Sequence, residues 1–417
     1  MFMRIVGIIA EYNPFHNGHA YQIQRAKELA GADFSVIVMS PDFVQRGEPA
    51  LLDKYSRTRM ALLGGADLVL ELPVCYATGS AEYFAEGGTA LLERLGCVNA
   101  LSFGCETADS ACFSRLADFL LEEPAEYRLL LRSYQKTGMT FPKAREAALQ
   151  ETFAEFPVQT VLSGPNNILG LEYTKALKKM GSPISILPVP RAGSGYHSLD
   201  FDREFCSASA IRAKLTSRPD QQEICAEELA AFLPKGSLSI LTDHLISSDF
   251  VMMEQFSDLL HYKLLSEADQ GFCHYLDVTT DLSDRIVRLL PRYSSVSQFV
   301  PLLKTKQLTE ARIRRALLHI LLNITGPETE VFRQKGTVFY GRILGFRKTS
   351  VSLMHAIKKN ASVPLISKLA DAKNILCGSA LQMITQDVYA SHIFRLPSCS
   401  RDGKQMQNEY TCSPVIL

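Results

Sequence analysis

No apolar run reaches the roughly eighteen residues that a membrane-spanning helix needs. The N-terminus passes directly into a core-type strand, with no basic segment and cleavage site ahead of it. A cytoplasmic protein without signal peptide or membrane span is therefore expected. Cys-x-x-Cys pairs are also absent. The ten cysteines are scattered at positions 75, 97, 105, 112, 206, 225, 273, 377, 399 and 412, which argues against a zinc site or a disulfide framework and suits a reducing compartment. Each is read as a small buried hydrophobe. Net charge is missing too, since 44 Lys plus Arg balance 44 Asp plus Glu. Affinity for nucleic acid rests on clustered positive charge, so only a local basic patch would serve an RNA partner. Gly64-Gly65 lacks the Gly-Lys-Ser/Thr that would complete a Walker loop, and the first turn has no Gly-x-Gly-x-x-Gly fingerprint. Those two absences count against γ-phosphate transfer of the kinase type and against a dehydrogenase. Low-complexity tracts and clear internal repeats are lacking.

What is present is a globular composition, 47% hydrophobic and 21% charged, in a chain of 417 residues. That length favours two or three domains. Apolar runs at Ile5 to Ala10, 33 to 40, 66 to 73, 100 to 106 and 183 to 190 read as buried strands alternating with helices. The helices are Ala20 to Ala30 before Gly31, Asp53 to Leu63 before Gly64-Gly65, and Ala81 to Leu95 before Gly96. This alternation predicts an α/β fold with a doubly wound parallel sheet. Residues 109 to about 156 read as a helical insertion. Beyond Ser217-Arg-Pro-Asp220 the alternation stops, and helical periodicity at 224 to 233, 249 to 265 and 281 to 290 takes over. A boundary near residue 220 is expected, with an α/β domain over 1–220 and a mainly helical domain over 221–417. The segment from Lys373 onward carries no clear signal.

The first strand stops at Tyr12-Asn13-Pro14, because proline cannot continue a central ladder. His16-Asn17-Gly18-His19 then falls at the turn into the first helix. Helix N-terminal amides favour anions there, and ligands of open parallel sheets bind at that edge. Two imidazoles can donate hydrogen bonds to phosphate oxygens, and Gly18 has no Cβ to hold a flat base away from the backbone. Other candidates converge on the same edge. Gln45-Arg46-Gly47 follows the second strand and Gly104 ends the fourth, where a strand-end glycine is either a turn residue or a point of nucleotide approach. Arg191 follows the fifth strand, its planar cation suited to bidentate phosphate contact. Asn166 and Asn167 open a helix, and one of them caps it or both read a base or ribose. Ser207 and Ser209 at a further helix start, with Arg212 one turn on, make an anion cradle.

Gly-Ile-Ile-Ala-Glu-Tyr-Asn-Pro-Phe-His-Asn-Gly-His19 resembles the His-x-Gly-His signature of the nucleotidyltransferase superfamily that includes the class I aminoacyl-tRNA synthetases. In particular the chain resembles the tRNA(Met) cytidine acetate ligases, through Pro-Asn-Asn-Ile-Leu-Gly-Leu-Glu-Tyr173 and through Cys206-Ser-Ala-Ser-Ala-Ile-Arg212. The last stretch departs from the superfamily's Ile-Ser-Ser-Thr-x-Ile-Arg at Cys206, Ala208 and Ser209. The resemblance implies a nucleotidyltransferase-like Rossmann domain. It implies ATP contacts along Gly7, Ile8, Ile9, Ala10, Glu11, Tyr12, Asn13, Pro14, Phe15, His16, Asn17, Gly18, His19 and Ala20. Gly104, Asn166, Asn167, Arg191, Ser207, Ser209 and Arg212 complete the site, with His16 and His19 catalytic. Magnesium would share the triphosphate charge, with no protein metal ligand assigned.

The implied reaction activates acetate as acetyl-adenylate and acetylates the exocyclic amine of the wobble cytidine of elongator tRNA(Met). Candidate RNA contacts are Gln45 and the basic Arg46, Lys54 and Arg57, the last two otherwise being solvated helix charges. More stand at Lys304, Lys306, Arg312, Arg314 and Arg315, on a segment capped by Thr309. Tyr340-Gly-Arg-Ile-Leu-Gly-Phe-Arg-Lys348 adds positive charge and aromatics. From the residues alone three other readings stay open: a small-molecule adenylyltransferase of the pantetheine or nicotinate type, a nucleotide sensor without chemistry, and an RNA-binding protein that has lost its chemistry.

Overall fold

The computed structural model describes residues 3–153, 162, 164–191, 206–216, 226–247, 249–403 and 405–417. The strands in chain order are β1 (Ile5–Ala10), β2 (Phe34–Met39), the hairpin pair β3 (Phe43–Val44) and β4 (Glu48–Pro49), and β5 (Leu68–Glu71). They continue with β6 (Ala100–Cys105), β7 (Ser185–Pro190), β8 (Gly341–Phe346), β9 (Leu365–Ile366) and β10 (Val415–Ile416). The main sheet has the order β10-β8-β5-β2-β1-β6-β7, with β9 joined to β8. Every neighbouring pair is parallel except β5 with β8. The five expected strands thus form one parallel core. The chain crosses from β1 to β2 on one side and later to β6 on the other, which opens a crevice at the carboxyl ends of β1 and β6.

The strand β1 shows why its sequence is apolar throughout. Ile5 and Ile9 enter the core on one face of the sheet, and Val6 and Ile8 enter the core on the other. Gly7 belongs to this packing: a Cβ there would stand 2.7 Å from Leu92 Cδ1, on the helix Ala81–Arg94. Gly88 of that helix reciprocates, since its Cβ would stand 2.6 Å from Ile9 Cδ1. Gly7 and the fully buried Ile8 therefore support the sheet, and neither is among the residues that line the cavity described below.

The insertion is three helices, Ser110–Glu122, Ala125–Lys136 and Phe141–Thr152. The expected boundary near residue 220 lies outside the described residues. It does not divide the sheet, however, because β8, β9 and β10 return from the C-terminal half to extend it beyond β5. The C-terminal half is helical elsewhere, as expected, with Lys235–Ile246, Ser257–Glu267, Thr280–Leu289 and Glu310–Leu321 among its helices. The segment without a sequence signal holds a 25-residue helix, Gly378–Asp402.

Lys54 and Arg57, expected on a solvated or RNA-facing surface, are both 0% exposed. Lys54 Nζ lies 2.6 Å from Glu71 Oε1, 2.7 Å from Glu409 Oε1 and 2.7 Å from Ser391 Oγ. Arg342 completes the cluster with Nη1 at 2.8 Å from Glu71 Oε2 and Nη2 at 2.6 Å from Glu409 Oε1, and Arg395 also pairs with Glu409. Arg57 instead donates to main-chain carbonyls: to Leu52 at 3.0 Å, to Glu11 at 2.7 Å, to Ser40 at 3.1 Å and to Pro41. Partners distant in sequence took these cations out of solvent, and the helix pattern alone cannot show such partners. Most of the expected basic contribution of 340–348 is lost for the same reason: Tyr340 and Arg342 are buried in or beside β8, Arg347 donates to Leu62 O at 2.6 Å, and Lys348 stays exposed.

Candidate active site

A cavity of about 210 Å³ opens at the crevice between β1 and β6. The ends of three strands line it, through Ile9 to Asn13 after β1, Phe103 and Gly104 on β6, and Val189 to Arg191 on β7. The starts of three helices close it with His16, Gly18 and His19, with Asn166, Leu169 and Tyr173, and with Ser207 to Ser209 and Arg212.

The helix Asn17–Ala30 begins with His16 as its N-cap, three residues ahead of the expected start. The imidazole Nδ1 of His16 accepts from the Gly18 amide at 3.0 Å, and the His16 amide donates to Nδ1 of His19 at 3.3 Å. Two otherwise orphaned helix amides are thereby satisfied. With both Nδ1 atoms serving as acceptors, each ring is neutral and carries its proton on Nε2. The rings stack with centroids 3.8 Å apart, and Tyr12 and Phe15 pack on His19 at 4.8 and 5.6 Å. Burial lowers the His16 imidazole to about 3, with Arg191 and Arg212 acting in the same direction. Burial, His16 and Arg191 hold His19 well below its ordinary value.

Protons therefore bind the unfolded chain more readily than the folded one below pH 6.5. Each of the two histidines contributes nothing to the pH dependence above that value. Below it, each removes up to about 1.4 kcal/mol of stability per pH unit, for His16 until the pH nears 3. Denaturant midpoints between pH 7.5 and 5 should fall more steeply in the native protein than in His16→Gln. Equal slopes would show that His16 is not held neutral by the fold.

Gly18 lines the cavity, and a Cβ there would lie 2.9 Å from His16 Cε1, so the missing side chain also makes room for the capping imidazole. At Gly104, which lines the cavity, a Cβ would meet only Arg191 Cγ at 3.6 Å, so no neighbouring protein atom requires glycine there. Asn167 is corrected. It is fully buried, and its Oδ1 accepts from the amides of Glu106 at 2.9 Å and Thr107 at 3.3 Å. Asn166 is the amide on the cavity wall, with Nδ2 2.8 Å from Glu106 Oε1. Gly164 is the N-cap of that helix, so neither asparagine caps it.

Asn13, Pro14, Phe15 and Asn17 build the turn. Asn13 Oδ1 accepts from Leu51 N at 2.8 Å, its carbonyl accepts from Arg212 Nη1 at 2.7 Å, and Asn17 Nδ2 donates to Ala231 O at 2.9 Å. Phe15 fills the space beside Gly64, where a Cβ would lie 2.3 Å from its ring. Ser207 caps the helix Ala208–Thr216 through Ala210 N at 3.1 Å, and Ser209 Oγ accepts from Arg212 Nη2 at 3.3 Å.

Gln45 and Arg46 line this cavity, at the sheet edge expected for them. Gln45 N donates to Glu11 Oε1 at 3.0 Å. The loop that carries them presses on the basic helix Glu310–Leu321: Gly47 has φ +76°, and a Cβ there would lie 2.4 Å from Arg315 N. Gly47→Ala should therefore strain the backbone and undock the hairpin, lowering thermal stability and weakening ATP binding at least tenfold. An unchanged melting temperature would refute the docking.

Of the five basic residues on that segment, Arg314 pairs with Glu310 at 2.8 Å and Glu48 at 3.5 Å, and Arg315 with Asp277 at 2.8 Å. Arg312 is half-buried, while Lys304 and Lys306 are exposed. Sequence reasoning missed Tyr21, Gln22, Phe84, Phe103, Leu169 and Tyr173 as lining residues. The spacing of Asn166, Leu169 and Tyr173 puts all three on one helical face, a signal that was available.

Strand-end loops, two neutral imidazoles over a helix N-terminus and two nearby arginines define a nucleotide-binding site of the nucleotidyl-transfer class. The model of the HIGH Nucleotidyl Transferase family matches residues 3–409. A tRNA(Met) cytidine acetate ligase from Thermoanaerobacter sp. is 41% identical over 94% of this chain and 95% of its own length. One from Clostridium kluyveri is 36% identical over 100% and 99%. Two crystal structures of Thermotoga maritima TmcAL, each 32% identical and covered in full along with this chain, superpose closely. The one bound with alpha-thio ATP has a TM-score of 0.89 and the apo form one of 0.91. The chain belongs to the HIGH nucleotidyl transferase family and, within it, to the tRNA(Met) cytidine acetate ligases.

Proposed function

We propose that this protein is an ATP-dependent ligase that activates acetate as acetyl-adenylate, releasing pyrophosphate, and passes the acetyl group to the exocyclic amine of the wobble cytidine of elongator tRNA(Met). The observation that carries this reading is the histidine pair. Its Nδ1 atoms are occupied by backbone amides, so both rings offer Nε2–H to the cavity. Donors fixed before reaction stabilise negative charge as it grows on phosphate oxygens, without reorganisation. Arg191 and Arg212 supply the permanent charge that neutral imidazoles cannot. The open floor at Gly104 admits the nucleoside, and Asn166 offers an amide to the base or ribose.

Among the described residues no group of three or more His, Cys, Asp or Glu side chains is placed to hold a metal ion. Magnesium would thus enter with ATP as part of the substrate. No helix among the described residues is long and apolar enough to cross a membrane. The exposed Lys304 and Lys306, with Arg312 behind them, are the part of the basic segment left for tRNA phosphates, and losing them should reduce the salt dependence of tRNA binding. The test is incubation of the protein with Mg·ATP, labelled acetate and unmodified bacterial tRNA, followed by nucleoside mass spectrometry. Acetylcytidine that requires both ATP and acetate supports the ligase. Its absence from RNA containing the unmodified acceptor overturns it.

A further inference from the structure

We propose that Glu11 is the base that receives the amine proton during acetyl transfer, an inference resting on the ligase reading above. Attack by cytidine N4 forms a C–N bond to the acetyl carbon and breaks the C–O bond to the adenylate phosphate. The electron pair leaves on the phosphate oxygen of AMP, and one N4 proton must pass to an acceptor before acetylcytidine is neutral.

The histidines cannot be that acceptor. Each already uses its Nδ1 lone pair on a backbone amide, and each Nε2 carries a hydrogen. The arginines carry no basic lone pair, and serine, asparagine and glutamine side chains are not bases at neutral pH. A phenol is a poor base in general, and burial pushes those of the lining Tyr12 and Tyr173 further up. Glu11 is the one carboxylate among the described lining residues.

The fold orients it as a base requires. Glu11 is the first residue past β1, and its main-chain carbonyl is held by buried Arg57 at 2.7 Å. Its Oε1 accepts from Gln45 N at 3.0 Å, while Oε2 makes no hydrogen bond to the described residues. A carboxylate oxygen is also the natural acceptor for the N4 amino group of cytosine. The same group therefore recognises the amine and then takes its proton, which passes on to solvent.

The two half-reactions separate this role from a structural one. With Glu11→Gln, the loss of acetate-dependent exchange of pyrophosphate into ATP should be at least tenfold smaller than the loss of acetyl transfer. Single-turnover transfer from preformed acetyl-adenylate to an unmodified tRNA(Met) transcript should fall about 10²- to 10⁴-fold. Glu11→Asp should recover part of the transfer rate and shift its pH profile. Transfer by Glu11→Gln within threefold of native overturns the proposal. So does an equal loss of exchange and transfer, which would place Glu11 with the nucleotide. If the native protein itself forms no acetylcytidine, the ligase reading fails first.

Discussion

Replacing His19 by alanine should slow acetate-dependent pyrophosphate exchange by about 10²- to 10³-fold, the loss of roughly 2.7–4 kcal/mol that follows removal of one preorganised donor. His19 does two things in this fold. Its Nδ1 accepts the His16 amide, and its Nε2–H is left for the phosphates. Losing the first interaction frees one amide in a recess that water can reach, at a cost of about 1 kcal/mol, so the protein should remain folded. Losing the second removes a donor that nothing else replaces. His19→Gln restores an N–H at similar reach and should regain part of the rate, whereas a merely structural histidine would show no such recovery. Exchange within tenfold of native in His19→Ala would remove the residue from the chemistry.

A second large effect is expected far from the cavity mouth. Lys54→Met should destabilise the fold by about 3–5 kcal/mol, because it leaves two buried carboxylates short of a cation. Glu71 and Glu409 would share Arg342 and Arg395 alone, with Asp42 at 3.8 Å adding a third buried acid. Burial by itself would raise the Glu409 carboxyl, but Lys54, Arg342 and Arg395 outweigh it and hold the group far below the usual carboxylate range. The folded form therefore binds this proton more weakly than the unfolded form. The stability it contributes is complete above about pH 4.5 and is lost as pH falls through its folded value.

Denaturant midpoints would measure both effects. The double variant Lys54→Met/Glu409→Gln should lose less than the sum of the single losses, since both remove the same interaction. A Lys54→Met protein within 1 kcal/mol of native would return Lys54 to the solvated surface that the sequence suggests. The cluster bears on the active site because the Lys54 amide donates to Asp42 at 2.9 Å, at the base of the hairpin that holds Gln45 against Glu11.

Local signals were enough to place the five parallel strands, the helix starts at Asp53 and Thr309, and the histidine turn at a strand end. They rest on interactions within a few residues: apolar runs, side-chain caps and a proline that ends a ladder. The cavity's cationic and imidazole groups were legible for the same reason, since a strand-to-helix turn exposes whatever residues it carries. Charge was not legible. Lys54, Arg57 and Arg342 have the sequence context of solvated cations and are buried, because their carboxylates and carbonyls come from segments up to hundreds of positions away. The same limit hid β8, as long as β1 but isolated among helices, and the two-residue β10, since β5 must be there to pair with one and β8 with the other. Asn167 was assigned to ligand by type, but the partners its Oδ1 meets, the Glu106 and Thr107 amides, are fixed only when the turns assemble. What this sequence determined by itself is where strands end and which chemistry stands there. Tertiary structure decided which of those groups face the cavity, because burial and pairing depend on contacts that no local pattern encodes.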